Sequence, residues 1–306
     1  MNASRILPWL ALATLLALLP AAPVRAQVTG CTEIQVLPAE ITVPGTYCLL
    51  TDQVGPYTGG ILLEIKTNDV VLDCNGNTIR TTDDTNTTAA IYAVNKTGLV
   101  VRNCVVDNFY VAIFLSASTD PGSHLNRIED NTVLNPRLYG INVIGSGNRI
   151  ERNRVLQHQG KYQGIVRGLQ VYSSEGKGIG NIIRDNTFAD FRPDPPIGSS
   201  GDSTYAMYMF NLHDTLITGN TIGGLHAVSS WYVQGIYVSQ STGTVVSDNT
   251  ILGAAPAAAP LGGQNYAGVH LSGTPEEQAT NVCRDNVVGH FSDNIIGCIE
   301  TGNVEF

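Results

Sequence analysis

The densest group of irregularly spaced ionisable side chains lies between residues 189 and 204 and contains Asp190, Arg192, Asp194 and Asp202. Paired carboxylates can supply the acid and the base of glycosidic cleavage, and several together can bind calcium. We therefore take these four as candidate catalytic residues. The alternative is that these four residues are ordinary solvated charges on a loop, because their spacing does not define a geometry. The six histidines have no metal-ligand spacing, so no cofactor is expected, and calcium is the one ion that the carboxylates could hold.

Aromatic and amide side chains recur one residue after a glycine-aliphatic or alanine-aliphatic pair, as in Gly140-Ile141-Asn142. Aromatic rings stack on the apolar faces of sugars while amides bind the hydroxyl groups. The sequence therefore predicts a saccharide-binding strip, although aromatic residues also simply favour strands. Its candidate substrate-binding residues are Tyr92, Phe114, Asn142, Gln170, Tyr172, Tyr208, Phe210, Trp231, Tyr237 and His270.

The elements that position these residues are short repeats. Segments such as Ile128-Glu-Asp-Asn-Thr-Val and Ile183-Arg-Asp-Asn-Thr-Phe share one pattern, and an asparagine recurs at intervals of 22 to 37 residues. The recurring position is filled by Asn77, Cys104, Asn131, Asn153, Asn186, Asn220, Asn249 and Asn286. Alternation with a period of two indicates strands, and one strand set per repeat predicts an all-β, single-domain parallel β-helix of about nine coils. The asparagines are expected to occupy left-handed corners and to stack on one another.

Over about residues 60 to 300, these corner asparagines and glycine-isoleucine or alanine-isoleucine pairs resemble the right-handed parallel β-helix superfamily, the pectate-lyase-like and NosD-like repeat proteins. In that superfamily the corresponding strand face is the usual saccharide groove. The marked catalytic patterns are missing, however. Asp194-Pro195-Pro196 departs from the Asp-Pro-His-Asp of alginate-epimerase-like members, and Arg192-Pro193 lacks the second arginine of pectate-lyase-like members.

The beginning of the chain predicts export. Arg5 precedes an apolar run that ends at Pro20, and small residues lead to a cleavage site near Ala26, as in a secretory signal peptide. The run is shorter than the roughly 20 residues of a membrane-spanning helix, so no transmembrane segment is expected. Cys31 follows a lipoprotein-like sequence, but Arg25 separates it from the apolar run, so lipidation is not expected. The predicted location is secreted or periplasmic.

Six cysteines in the exported part predict disulfides, with Cys31 and Cys48 as the expected pair and the others open to a role as small buried residues. We divide the chain into a signal peptide (1–26), an N-terminal cap (27–59) and the β-helix domain (60–306). The open coil end near residue 306 is a candidate surface for oligomer formation, since unpaired strand edges invite pairing.

Three functions fit these features. The first is binding of a polysaccharide or other glycan along the strip. The second is a polysaccharide lyase, glycoside hydrolase or epimerase of unmarked family, and the third is a NosD-like periplasmic maturation factor or a purely structural envelope protein. A formal net charge of −9, with no dense basic stretch, argues against nucleic acid as a partner.

Overall fold

The structure, a computed structural model, describes residues 30–85, 87–117, 123–158, 165–173, 178–192, 203–226, 232–253 and 265–306. Three long parallel sheets, here called A, B and C, run the length of this part of the chain. Successive strands along the chain enter different sheets, and each strand pairs with its equivalent one coil away. The prediction of an all-β parallel β-helix is thus confirmed.

Sheet A has eleven strands: β1 (Thr32–Glu33), β3 (Gly45–Cys48), β6 (Val70–Asp73), β9 (Val100–Arg102), β13 (Arg127–Glu129), β16 (Arg149–Glu151), β20 (Ile182–Arg184), β24 (Leu216–Thr218), β27 (Val245–Ser247), β30 (Val282–Arg284) and β33 (Ile299–Thr301). Sheet C has ten: β4 (Gln53–Gly55), β7 (Thr78–Thr81), β10 (Val105–Asp107), β14 (Thr132–Leu134), β17 (Arg154–Leu156), β21 (Thr187–Phe191), β25 (Thr221–Leu225), β28 (Thr250–Gly253), β31 (Val287–Gly289) and β34 (Val304–Glu305).

Sheet B carries the longest strands: β2 (Ala39–Ile41), β5 (Ile61–Ile65), β8 (Ala89–Val94), β11 (Val111–Ser116), β15 (Tyr139–Ser146), β18 (Ile165–Tyr172), β22 (Ser203–Phe210), β26 (Tyr232–Ser239), β29 (Asn265–Ser272) and β32 (Asp293–Ile296). A short strand, β12 (Ser123–His124), pairs with β15, and β19 (Gly178–Ile179) pairs with β23 (Leu212–His213). One single-turn helix, α1 (Pro275–Gln278), begins with a capping box of Thr274 and Glu277.

Stacks of aliphatic side chains fill the interior. In sheet A, Ile128, Ile150 and Ile183 are equivalent residues of successive coils, and all three are buried. Sheet C contributes a similar stack through Val133, Val155 and Phe188, with further equivalents on either side. Because each stack is continuous from coil to coil, the core is a single column of apolar side chains rather than a central cluster.

The sheet B strands from β8 to β29 bend at the recurrent glycine or alanine. A side chain on Gly140 would lie 2.5 Å from the carbonyl oxygen of Gly168, and one on Gly235 would lie 2.5 Å from that of Gly268. The close approach of successive coils explains why only small residues recur here. The residue before the bend and the residue three positions later both face outward, as do Arg167 and Gln170 in β18.

The asparagine ladder lies at the corner between sheets A and C. Asn186 shows the pattern: its Nδ2 donates to the Ile150 carbonyl at 2.8 Å and to Oδ1 of Asn220 at 3.0 Å, and its Oδ1 accepts from the backbone N–H of Asn153 at 2.9 Å. Stacking is confirmed, but the expected left-handed conformation is wrong for the asparagines. The residue before each one adopts it, for example Asp130 (φ 57) and Asp185 (φ 57). The carboxamide of each asparagine thereby points inward and forms hydrogen bonds with buried backbone groups.

The coils extend beyond the predicted boundary at residue 60. Strands β1 to β4, from the segment predicted as a cap (27–59), join sheets A, B and C and add to the expected nine coils. At the other end, β33 and β34 are the last strands of their sheets, with Ile299, Val304 and Phe306 exposed. Oligomer formation through this end stays a prediction.

Three disulfides join the described cysteines. The predicted Cys31–Cys48 bond is confirmed, which engages the thiol that lipidation would need. The alternative that the other cysteines are only small buried residues is wrong, since Cys74 pairs with Cys104 and Cys283 with Cys298. Cys104 replaces an asparagine of the ladder, and its backbone N–H still donates to Oδ1 of Asn131.

Candidate functional site

The strip lies on the outer face of sheet B, from β8 to β29. Strand register aligns seven of the predicted binding residues in one column: Tyr92, Phe114, Asn142, Gln170, Tyr208, Tyr237 and His270. Tyr172 and Phe210 are paired in a neighbouring column. Trp231 lies outside the described residues.

A second column, which sequence reasoning missed, runs beside the first on the other side of the bend. It contains Tyr139, Arg167, Tyr205, Gln234 and Ala267. This column could have been found in the sequence, because each of its residues immediately precedes the glycine or alanine of the bend, as in Arg167-Gly168 and Tyr205-Ala206. These two columns together form the strip.

Arg167 is the centre of contacts between the columns. Its guanidinium carbon lies 4.0 Å from the ring centroid of Tyr208, 5.7 Å from that of Tyr139 and 5.8 Å from that of Tyr205. Nη1 of Arg167 donates to Oε1 of Gln170. Its Nε is buried and has no hydrogen-bond partner among the described residues. Ring faces stabilise the cation, but they leave this N–H donor unused.

Four rings form a continuous cluster next to Arg167. Centroids of Tyr205 and Tyr208 are 5.2 Å apart, those of Tyr208 and Tyr237 are 5.3 Å apart, and those of Tyr237 and His270 are 5.4 Å apart. Burial raises the pKa of Tyr205 to about 12 and also raises the pKa of Tyr208, with Arg167 opposing both shifts. These phenols therefore stay protonated at neutral pH and can donate hydrogen bonds.

Gln234 and His270 connect the two columns further along. Nε2 of Gln234 lies 2.9 Å from Nδ1 of His270, so the amide donates and the ring nitrogen accepts. Burial lowers the pKa of His270, while the charge of Asp293 opposes the shift, and the imidazole is neutral at pH 7. Oε1 of Gln234 and Oδ1 of Asn142 are buried without a hydrogen-bond partner in the described part of the chain.

At the other end of the strip, Tyr92 and Phe114 form a separate stacked pair. Their ring centroids are 5.2 Å apart and the ring planes differ by 5°. Both side chains are partly exposed. This stacked pair extends the aromatic residues of the first column to β8.

The candidate catalytic residues are only partly described. Asp190 ends up on sheet C, where its Oδ1 accepts from Nε of Arg192 at 2.6 Å and lies 3.9 Å from Nε2 of His226. Asp194 and Asp202 lie outside the described residues, so a catalytic role for the four stays a prediction. In the part of the chain that the structure describes, no three histidine, cysteine or acidic side chains gather as a metal site. The calcium expectation is therefore carried forward only as a proposal.

Comparison with protein families gives one result. The family model described as "Right handed beta helix region" matches residues 121–306, more than half of the chain. The chain belongs to this β-helix family. The resemblance inferred from the repeats is confirmed, including the right-handed coil. A search of curated proteins finds no match to this β-helix protein.

Among solved structures, the β-helix protein is similar to the Dettilon tailspike protein (gp208), with 13% identity and a TM-score of 0.45 over 90% of this chain and 60% of that chain. It is similar to the catalytic domain of a GH87 alpha-1,3-glucanase in complex with nigerose, with 15% identity and a TM-score of 0.40 over 85% and 53% of the two chains. A third is an alginate lyase from Paenibacillus sp. str. FPU-7, with 11% identity and a TM-score of 0.36 over 86% and 89%. The chain thus spans 60% and 53% of the length of the first two.

Among the helices that the structure describes, none has the length and apolar character to cross a bilayer.

Proposed function

We propose that this β-helix protein binds a saccharide chain along the strip. The observation that supports the proposal is the tyrosine cluster of Tyr205, Tyr208 and Tyr237, in which Tyr208 and Tyr237 are partly exposed. Their rings supply stacking surfaces, and their hydroxyl groups can form hydrogen bonds with sugar hydroxyl groups.

The direction of the strip suits a linear ligand. Seven strands from β8 to β29 contribute to it, and parallel neighbours are about 4.8 Å apart, which gives a length of roughly 29 Å. The ligand would lie parallel to the helix axis, from the stacked pair of Tyr92 and Phe114 to His270. Affinity should rise with the number of sugar units until the strip is filled.

Action outside the cytoplasm is part of the proposal. Three disulfides are typical of proteins that fold in an oxidising compartment. The signal peptide predicted before Ala26 lies outside the described residues. Sequencing the N-terminus of the protein recovered from the culture medium or periplasm tests the cleavage site.

The binding proposal is tested with Tyr208→Ala and Tyr237→Ala on an array of neutral and acidic oligosaccharides, followed by calorimetry. Each lost ring should weaken binding about fivefold, because one aromatic contact contributes about 1 kcal/mol. Phe306→Ala is the matched control, since this ring is exposed at the far end of the chain and off the strip. Equal affinity in all four proteins would overturn the proposal. Repeating the titration with a chelator tests the calcium expectation.

Cleavage or epimerisation is the second candidate. One observation favours it: the neutral imidazole of His270 lies next to the ring of Tyr237, which places a base and a hydroxyl group in one cluster. Reducing-end release distinguishes the two functions. Turnover lost in His270→Gln while binding is retained would establish an enzyme that acts from the strip. Turnover lost only in Asp194→Asn would instead place the chemistry on the predicted loop carboxylates.

A further inference from the structure

The strip has an unusual distribution of charge. Among its seven strands, β8, β11, β15, β22, β26 and β29 contain no permanently charged side chain, and β18 contains Arg167 alone. Three uncharged strands therefore flank the cation on each side. His270 is the other ionisable basic group, and burial keeps it neutral at pH 7.

Arg167 is not neutralised within the described structure. Several other arginines pair with carboxylates, as Arg102 does with Asp73 at 2.8 Å and Arg127 with Glu129 at 2.6 Å. No described carboxylate pairs with Arg167. Its contacts are the Tyr139, Tyr205 and Tyr208 rings and Oε1 of Gln170, and its Nε–H is left without an acceptor in the described residues. A half-buried guanidinium without a carboxylate partner is suited to bind an anion, because an acidic oxygen balances its charge and accepts from its N–H groups.

Acidic groups at the ends of the strip restrict what the anion can be attached to. Glu64 is the equivalent of Tyr92 in the preceding strand, where Glu64 and Glu40 share the single cation of Lys66 and leave a net negative charge. Asp293 is the equivalent of Ala267 in the following strand. The whole chain is also acidic, with a formal net charge of −9. A polymer with an anion on every sugar would be favoured at Arg167 and repelled at both ends.

We propose that the saccharide bound along the strip carries an isolated acidic group, a carboxylate or a sulfate ester, which binds Arg167 while uncharged sugar units occupy the strands on either side. This inference rests on the proposed saccharide-binding function and adds the class of ligand. Arg167 is its specificity-determining residue, and the tyrosines supply affinity for the uncharged units.

The test uses the full chain and five probes. The first is an oligosaccharide of deacylated gellan, whose repeat has a single glucuronate among neutral sugars, and the second is its carboxyl-reduced form. The third and fourth are a κ-carrageenan oligosaccharide, in which sulfated and neutral sugars alternate, and its desulfated form. The fifth is an oligogalacturonate, which is acidic at every sugar. Calorimetry compares wild type with Arg167→Met, Arg167→Lys and the control Arg154→Met, which removes an exposed arginine of sheet C.

We expect one of the two probes with isolated acids to bind best, and removal of its acidic group to weaken binding about tenfold to a hundredfold. Arg167→Met should lose the same factor for the acidic probe and leave its neutral counterpart unchanged. Arg167→Lys should recover only part, because the ammonium lacks the planar fork. Which pair responds identifies the carboxylate or the sulfate.

Three results would overturn the inference. Equal affinity for an acidic probe and its neutral form, with both weakened in Tyr208→Ala, would leave saccharide binding standing and remove the anion. Preference for oligogalacturonate would show that the acid need not be isolated. If wild type binds none of the five probes, the inference and the proposed function fail together.

Discussion

Left-handed residues at the corners are the most strongly constrained single positions. At the corner that leads into sheet A, successive coils carry Gly98, Leu125, Gly147 and Gly180, each with positive φ. Leu125 (φ 56) is the one residue of these four that is not a glycine, and its side chain is 66% exposed. A leucine in this conformation costs roughly 1–2 kcal/mol, and no burial of its side chain offsets that cost.

We expect Leu125→Asn to raise the free energy of unfolding by about 1 kcal/mol, since asparagine tolerates the left-handed region without the extra unfolded-state entropy of glycine. Urea denaturation measures the change. Ile179→Asn is the control, because Ile179 is also exposed but lies in a strand with ordinary φ. An unchanged or lower midpoint for Leu125→Asn would contradict the assigned strain.

The buried side chain of His158 contacts the backbone of the strands that carry the strip. The ring is fully buried, and its Nε2 lies 3.0 Å from the Leu138 carbonyl. Burial lowers the pKa of His158 to about 3, against upward pulls from backbone hydrogen bonds at Leu138 and Arg167. The imidazole is thus held neutral next to the backbone of Arg167.

This depressed pKa predicts acid sensitivity. Unfolding lets His158 take up a proton below its ordinary pKa of about 6.5, so its contribution to stability is complete above that pH and falls as the pH drops toward about 3. His158→Gln should be less stable at pH 7 but lose less stability between pH 7 and pH 5. Denaturation midpoints at both pH values measure this, with the exposed His290→Gln as control. Identical slopes in wild type and His158→Gln would exclude the effect.

At the scale of elements, two ladders of polar side chains hold successive coils in register. The predicted one runs through Asn131, Asn153 and Asn186. A second lies at the corner that leads into sheet A, where Oδ1 of Asn148 accepts from the backbone N–H of Asn126 at 3.1 Å and Oδ1 of Asn181 accepts from that of Asn148 at 3.0 Å. The second ladder escaped prediction because threonines replace asparagine at positions 215 and 244.

Asn186→Leu should lower the free energy of unfolding by several kcal/mol. It removes one inward donor group and one acceptor, and it leaves the Ile150 carbonyl and the Asn153 N–H without their partners, at about 1–3 kcal/mol each. Thr221→Leu places the same side chain at an exposed position one coil away and should have little effect. Equal denaturation midpoints for the two variants would show that the ladder is not structural.

Over the whole molecule, the disulfides restrain the two ends of the solenoid. Cys31–Cys48 and Cys74–Cys104 lie in the first coils, and Cys283–Cys298 lies in the last. Strand pairing stops at these ends, so the terminal coils have a neighbour on one side only. Covalent links are therefore concentrated where packing restrains the chain least.

Replacing Cys74 and Cys104 together by alanine should lower the free energy of unfolding by about 3.5 kcal/mol, because the bond closes a loop with a sequence separation of 30. Chemical denaturation of the variant without reductant measures the loss. Adding reductant to unfolded wild type before refolding should cost at least as much, since it opens the other bonds too. A variant as stable as wild type would show that coil packing alone suffices there.

The sequence alone determined the coil pattern and the first column of the strip. Inward aliphatic residues recur with period two, and their alternation places Tyr208 and Tyr237 on the outer face. It also indicated the asparagine ladder, because amides recur at one corner. These features are local and repeated, so a single coil contains the information for all of them.

Tertiary structure decided the rest, because it depends on which coils become neighbours and how the chain bends. The sequence of its own coil does not distinguish Arg167 from the neighbouring residues. Pairing of β18 with β15 and β22 is what surrounds it with Tyr139, Tyr205 and Tyr208. Likewise, Cys74 and Cys104 are far apart in sequence and meet because their coils stack. At each bend two consecutive residues point inward, which breaks the alternation of inward and outward residues. The relative position of the two outward columns therefore cannot be read from alternation alone.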